Sequence, residues 1–167
     1  DQDVLWLLDQ IIDSFDPGRE NVGLPLGNLT SQLLINIYMN LFDHFVKREL
    51  KAKYYIRYAD DFVILSHTKS ELDELLIKIT KFLREKLKLE LHPDKVYIKT
   101  LASGIDFLGW VHFPHHRVLR NSTKQRIFRR IVENPKNETY QSYLGALQHG
   151  NAWKIKFKLL ELRNIFL

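Results

Sequence analysis

Cysteine is absent from the 167 residues, which excludes disulfides and thiolate-held metals and suits a reducing compartment such as the cytoplasm. Methionine occurs once, at position 39, while the first residue is Asp1, so a piece of a longer protein is expected. No apolar run reaches the roughly 18 residues of a membrane span and no signal peptide opens the chain, so no membrane partner is expected. Repeats and low-complexity tracts are missing too. What is present is an ordinary folding composition, 45% apolar, with a net charge of +5 that weakly favours a polyanionic partner.

The most informative stretch is Tyr54-Tyr55-Ile56-Arg57-Tyr58-Ala59-Asp60-Asp61-Phe62-Val63-Ile64-Leu65-Ser66. Two runs rich in aromatic and branched residues flank a short turn, the pattern of a β-hairpin. The flanking strands read as too apolar for the surface, so at least one of Asp60 and Asp61 is expected to be buried beside a compensating cation. Adjacent acids on a rigid hairpin suit a hard divalent ion that also holds substrate phosphates. The competing reading is an ordinary solvated acidic turn.

Upstream, Val4, Leu5, Leu8, Ile11, Ile12 and Phe15 recur with a helical period over Asp3 to Phe15, capped by Asp1 or Asp3 and stopped by Asp16-Pro17-Gly18. Gly23-Leu24-Pro25-Leu26-Gly27-Asn28-Leu29-Thr30-Ser31-Gln32 follows a polar loop and precedes a strong helix. Gly27 would let backbone approach a ligand, with a helix N-terminus behind it for an anion; a plain loop-to-helix entry is the alternative. The rows Leu33, Ile37, Leu41, Phe45 and Leu34, Tyr38, Phe42, Val46 predict one long helix with a wide core face, ending in the charged Lys47 to Lys53.

Past the hairpin, Thr68-Lys69-Ser70-Glu71 offers a capping box for an amphipathic helix through Leu87. His92-Pro93-Asp94-Lys95 reads as a turn and Val96 to Thr100 as an alternating strand. Ile105 to Phe113 and Arg117 to Leu119 read as a hairpin around Pro114-His115-His116. The paired histidines lack a third ligand at useful spacing, which favours an exposed turn over a metal site. Three helices follow: Asn121 or Ser122 to Val132, Thr139 to His149, and Ala152 to Phe166.

Basic residues gather in this tail. Arg117, Arg120, Lys124, Arg126, Arg129 and Arg130 occur with no acid among them until Glu133, and Lys154, Lys156 and Lys158 follow. A stripe of one sign suits a phosphate backbone, whereas a merely solvated face usually mixes signs.

Taken together, these motifs resemble the reverse transcriptase family. Tyr58-Ala59-Asp60-Asp61 is similar to its YxDD signature, and Pro25-Leu26-Gly27 through Ser31-Gln32 to its nucleotide-binding element. Lys95 matches the lysine that assists pyrophosphate departure, and Phe107-Leu108-Gly109-Trp110 resembles the primer-grip hairpin. The resemblance covers nearly the whole chain and points to prokaryotic enzymes of group II introns and retroelements. Ser142-Tyr143-Leu144-Gly145 and His149-Gly150-Asn151 lean towards diversity-generating retroelements.

It implies an α+β polymerase palm over residues 1–103, a primer-grip-like hairpin over 104–119 and an all-helical thumb over 120–167. It also implies RNA-directed DNA synthesis with two Mg²⁺ ions, an RNA template, a DNA primer and deoxynucleoside triphosphates. Asp60 is then a metal ligand and Asp61 either a second ligand or an electrostatic partner. Lys95 acts as an acid or simply as a charge, while Pro25, Leu26, Gly27, Asn28, Ser31, Gln32 and Tyr58 line the nucleotide site. Leu26 stands where many relatives carry Gln, which removes a hydrogen bond to the nucleotide. The family's third carboxylate, its first catalytic strand and its fingers have no match here, so this stretch alone is expected to be inactive. The competing functions are a non-catalytic, maturase-like RNA-binding module and RNA-templated RNA synthesis.

Overall fold

In a computed structural model, residues 1–13 and 29–166 are described. The glycine-containing element Pro25 to Asn28 lies outside them. The chain divides after Val96 into two units, each built on its own apolar core.

The first unit holds α1 (Gln2–Asp13), α2 (Leu29–His44), a hairpin of β1 (Tyr54–Tyr58) and β2 (Asp61–Leu65), and α3 (Lys69–Lys86). Asp1 caps α1, its Oδ1 accepting from the Asp3 N–H at 3.0 Å. Helix α2 runs into one wider π turn, Phe45–Glu49, which Lys47 closes by donating to the carbonyls of Ala52 and Lys53.

The buried seam of α2 is narrower than the periodicity suggested. Met39, Phe42 and Val46 are buried with Ile35 and Phe45 beside them, while Leu33, Ile37 and Leu41 are 61%, 62% and 59% exposed. The cause is geometric. Each i+4 step advances a row by about 40° around an α-helix, so a row of four precesses off any fixed face, and a buried seam must mix i+3 with i+4 steps.

Ile79 and Leu83 from α3, with Leu87 just past its end, complete this core, and Phe45 stacks on Phe82 at 4.0 Å. The Tyr38 hydroxyl donates to the Leu87 carbonyl, tying α2 to the end of α3. The expected capping box forms by half: Thr68 Oγ1 accepts from the Glu71 N–H, but the Glu71 carboxylate takes the Ser66 hydroxyl instead of closing on Thr68.

The second unit is a three-stranded antiparallel meander followed by helices. Its strands are β3 (Ile105–Phe107), β4 (Trp110–His112) and β5 (Arg117–Leu119); its helices are α4 (Asn121–Glu133), α5 (Asn137–Ala146) and α6 (Trp153–Phe166). What read as one strand from Ile105 to Phe113 is folded in two at Leu108-Gly109. Both residues hold positive φ, 52° and 80°, the signature of a two-residue primed turn. Glycine supplies one such residue without cost; Leu108 masked the turn in the sequence.

Val96 to Thr100, expected as a strand, forms none, because no neighbouring strand offers it a ladder among the described residues. His115 and His116 sit in the exposed turn as expected, with the His116 ring stacked on Phe113 at 4.8 Å. Leu119, Ile127, Ile131, Tyr140, Leu147, Ala152 and Leu159 form the core that joins the sheet to the three helices. Among the described residues the fold is thus mixed: six α-helices with two small antiparallel sheets. No described helix is long and apolar enough to cross a membrane.

Candidate active site

The hairpin of the first unit closes on a two-residue loop. Tyr58 faces Asp61 across the ladder, so the loop is Ala59-Asp60, and Ala59 takes the left-handed conformation with φ 51°. Alternation then sorts the side chains. Tyr55, Arg57, Phe62 and Ile64 face the core, where Phe62 and Tyr55 meet Phe42 at ring distances of 4.9 and 6.1 Å. Tyr54, Ile56, Tyr58, Asp61, Val63 and Leu65 share the opposite face, most of it open.

Asp60 and Asp61 are both exposed, which corrects the expectation of a buried carboxylate. The strands carry mostly apolar side chains on both faces, but a two-stranded sheet with one covered face leaves the other to solvent. The acids stand at the tip of that open side.

Their placement depends on residues that motif reading passed over. The Arg57 guanidinium clasps the Asp43 carboxylate of α2 with two prongs, Nε to Oδ1 at 2.8 Å and Nη2 to Oδ2 at 2.6 Å. Its remaining nitrogen, Nη1, donates to the Ala59 carbonyl at 2.6 Å and to Asn36 Oδ1 at 3.1 Å. The Tyr55 hydroxyl donates to Asp43 Oδ1 at 2.6 Å. The Arg57 guanidinium, ahead of the smaller Tyr55 hydroxyl bond, holds the Asp43 carboxyl below its usual range; burial and then the Asp43 carboxylate push the Tyr55 phenol well above its own. A signal was present in retrospect: Arg57 is the one charge on the inward alternation of β1, and Asp43 interrupts the apolar seam of α2.

This network connects two predicted features. Gln32 and Asn36 are one turn apart on α2, so the helix that begins near Ser31 and Gln32 is joined through Asn36 and Arg57 to the loop carrying Asp60. Tyr58, Asp60 and Asp61 are together at the hairpin tip. Lys95 is exposed at the end of a 3₁₀ turn, Pro93–Lys95, and shares no ion pair or hydrogen bond with either aspartate among the described residues. Pro25, Leu26, Gly27 and Asn28 lie outside the described residues.

Two exposed carboxylates in one turn are a hard oxygen donor set. That set fits Mg²⁺, which keeps several waters and takes one or two carboxylates plus substrate phosphates, and it is too small for an all-protein cage. Correspondingly, no cluster of three ligating side chains occurs among the described residues.

In the second unit, Leu108 projects from the β3–β4 turn while Gly109 packs inward, where an added Cβ would lie 3.2 Å from Thr123 Oγ1. Phe107 and Trp110 face each other across that turn. Trp110 is held from two sides, by the Arg117 guanidinium 5.5 Å over its ring and by Gly150 beneath it.

The basic residues are less uniform than their order in the chain. Arg120 is committed to Asp106, an acid distant in sequence that the strand arrangement brings opposite it. Arg129 makes a loose, exposed contact with Glu133 at 3.8 Å, Lys124 reaches Asn121, and Lys158 lies over Phe128. Arg126, Arg130, Lys154 and Lys156 are exposed and without a side-chain partner among the described residues.

Comparison with known proteins places this arrangement. Protein YkfC of Escherichia coli (strain K12) is 29% identical over an alignment covering 80% of this chain and 42% of that protein. The putative COX1/OXI3 intron 2 protein of Saccharomyces cerevisiae is 32% identical over 43% of this chain and 9% of that protein. The chain therefore spans less than half the length of these curated relatives. The family described as reverse transcriptase (RNA-dependent DNA polymerase) matches residues 8–112, from the first helix through the acidic hairpin to β4. With more than half of its length inside that match, this chain belongs to the reverse transcriptase family.

Proposed function

We propose that this chain carries the catalytic hairpin and the nucleic-acid-holding tail of an RNA-directed DNA polymerase. The observation that bears most weight is the pair of exposed carboxylates at a hairpin tip, anchored to the helix behind the nucleotide-binding element. On this reading residues 1–103 belong to a palm, 104–119 to a primer-contacting element and 120–167 to a thumb.

Asp60 and Asp61 would hold Mg²⁺, which when bound supplies charge neutralisation for a triphosphate and acidifies the primer hydroxyl. The chain's own residues do the rest. Gly27 and its neighbours, with Ser31, Gln32 and Tyr58, bound the nucleotide. Lys95 contributes positive charge, or a proton, to the departing pyrophosphate, and an exposed lysine is free to approach it. Leu108 and Gly109 meet the primer at the β3–β4 turn. Arg126, Arg130, Lys154 and Lys156, without a side-chain partner among the described residues, neutralise backbone phosphates of an RNA–DNA duplex.

The test is primer extension on an RNA template by the complete protein. Asp60→Ala should lower incorporation by about a hundredfold or more, since charge stabilisation at the reacting phosphate is removed. Near-normal extension by this variant would refute the assignment. A second reading, a non-catalytic RNA-binding module, is favoured by the exposed basic residues of α4 and α6 and by a relative named as an intron protein. It predicts salt-sensitive RNA binding, no extension, and indifference to Mg²⁺ and nucleotides.

A further inference from the structure

We propose that Arg57 is the positioning residue of the acidic turn: its guanidinium holds the Ala59 carbonyl against α2 and so sets where the Asp60 and Asp61 carboxylates stand. The inference rests on the polymerase reading and goes beyond it, because it concerns a side chain that touches neither metal nor substrate.

An ordinary ion pair does not account for the geometry. Pairing with Asp43 occupies Nε and Nη2 alone. The third nitrogen is directed at the turn, with one bond to the Ala59 carbonyl and one to Asn36. That carbonyl belongs to the peptide linking Ala59 to Asp60, so fixing it fixes the plane from which Asp60 departs. Asp61 follows directly and is paired to Tyr58.

The turn also needs holding. Ala59 has φ 51°, a conformation that strains a non-glycine residue and persists only where surrounding contacts impose it. Arg57 is suited to impose it, being only 9% exposed and clasped at its base by Asp43, which Tyr55 steadies in turn. Lysine, a single ammonium on a flexible stem, cannot span Asp43, Asn36 and the Ala59 carbonyl together. The metal-bearing acids thus stand free in solvent while the peptide behind them is fixed from the core side.

The experiment is primer extension by the complete protein, measured as kcat, KM for the nucleotide and the Mg²⁺ concentration for half-maximal rate, beside thermal midpoints. Arg57→Lys should lower kcat about ten- to hundredfold, the scale of a small misplacement of reacting groups. It should also raise the Mg²⁺ requirement while leaving the nucleotide KM within about threefold, since Ser31 and Gln32, carried on α2 and not on the turn, stay in place. Adding Ala59→Gly to Arg57→Lys should recover much of the lost kcat, because glycine takes the positive φ without support. A residue serving stability alone would show no such rescue.

If Arg57→Lys unfolds the protein, the exposed Asn36→Ala decides: about a two- to fivefold fall in kcat is expected from one lost anchor, an effect of roughly 0.5–1 kcal/mol. Wild-type kcat in that variant, or in a folded Arg57→Lys protein, overturns the proposal. So does a loss that follows the thermal midpoint and is not rescued by Ala59→Gly. If Asp60→Ala still abolishes extension in these cases, the polymerase reading survives without the clamp. Extension that is absent from the wild type, or indifferent to Asp60→Ala, removes both.

Discussion

Gly150→Ala asks whether the sheet and the helices of the second unit are seated on one another as described. Gly150 has φ −170°, an extended conformation open to any residue, so substitution strains no backbone. The obstacle is Trp110. A Cβ at position 150 would lie 2.2 Å from Cζ3 of the indole and 2.8 Å from Cε3 and Cη2, far inside contact distance. The ring cannot yield freely, because it packs against the core and the Arg117 guanidinium covers it.

Overpacking of this kind costs about 1–3 kcal/mol, and the reduced freedom of the unfolded chain returns about 0.4–1 kcal/mol. The net loss is about 1–2 kcal/mol. In a unit of about 70 residues that corresponds to a fall in Tm of roughly 5–15 °C. Circular dichroism melts of wild type, Gly150→Ala, Trp110→Leu and the double variant form the cycle that reads it. The Ala penalty should vanish, or become slightly stabilising, once the indole is gone. An unchanged Tm for Gly150→Ala, or the same penalty with and without Trp110, would show that the ring does not rest on Gly150.

Four further outcomes follow from the described contacts. The lowered Asp43 group stabilises the fold above about pH 4 and loses that contribution as pH falls through its depressed value, so the deficit of Asp43→Asn should be largest near neutrality and shrink on acidification. The raised Tyr55 group contributes fully below about pH 10 and less above it, so Tyr55→Phe should lose less stability than wild type between about pH 10 and 11; parallel melting curves across either window count against the network. Tyr140 is fully buried with a hydroxyl that finds no partner among the described residues, so Tyr140→Phe should match or exceed wild-type stability, and a loss above about 1 kcal/mol in denaturant titration would contradict that environment. For nucleic acid, Arg126→Ala and Arg130→Ala should each reduce the salt dependence of duplex binding by about one counterion, whereas Arg120→Ala, already paired with Asp106, should affect stability more than the salt slope.

Local chemistry alone was enough to identify the hairpin, the acids at its tip, the turn at Pro93 and the three helices of the tail. Each depends on near neighbours: period-two alternation, two turn residues, a proline, a helical spacing. The same information placed Tyr58, Asp60 and Asp61 together, because all three lie within one turn of chain.

Everything that joins residues far apart was settled by tertiary packing. Leu33, Ile37 and Leu41 were as apolar as the residues that became core, and only the approach of α3 and the hairpin selected Met39, Phe42 and Val46 instead. Val96 to Thr100 had the alternation of a strand but no neighbour to pair with among the described residues, and a ladder needs two sides. Arg120 looked like one more cation in a stripe until the meander set Asp106 against it. Asp43 and Arg57, 14 positions apart, carry no motif; they become one device because a helix face and the inner face of a strand meet there and set guanidinium and carboxylate in two-pronged contact.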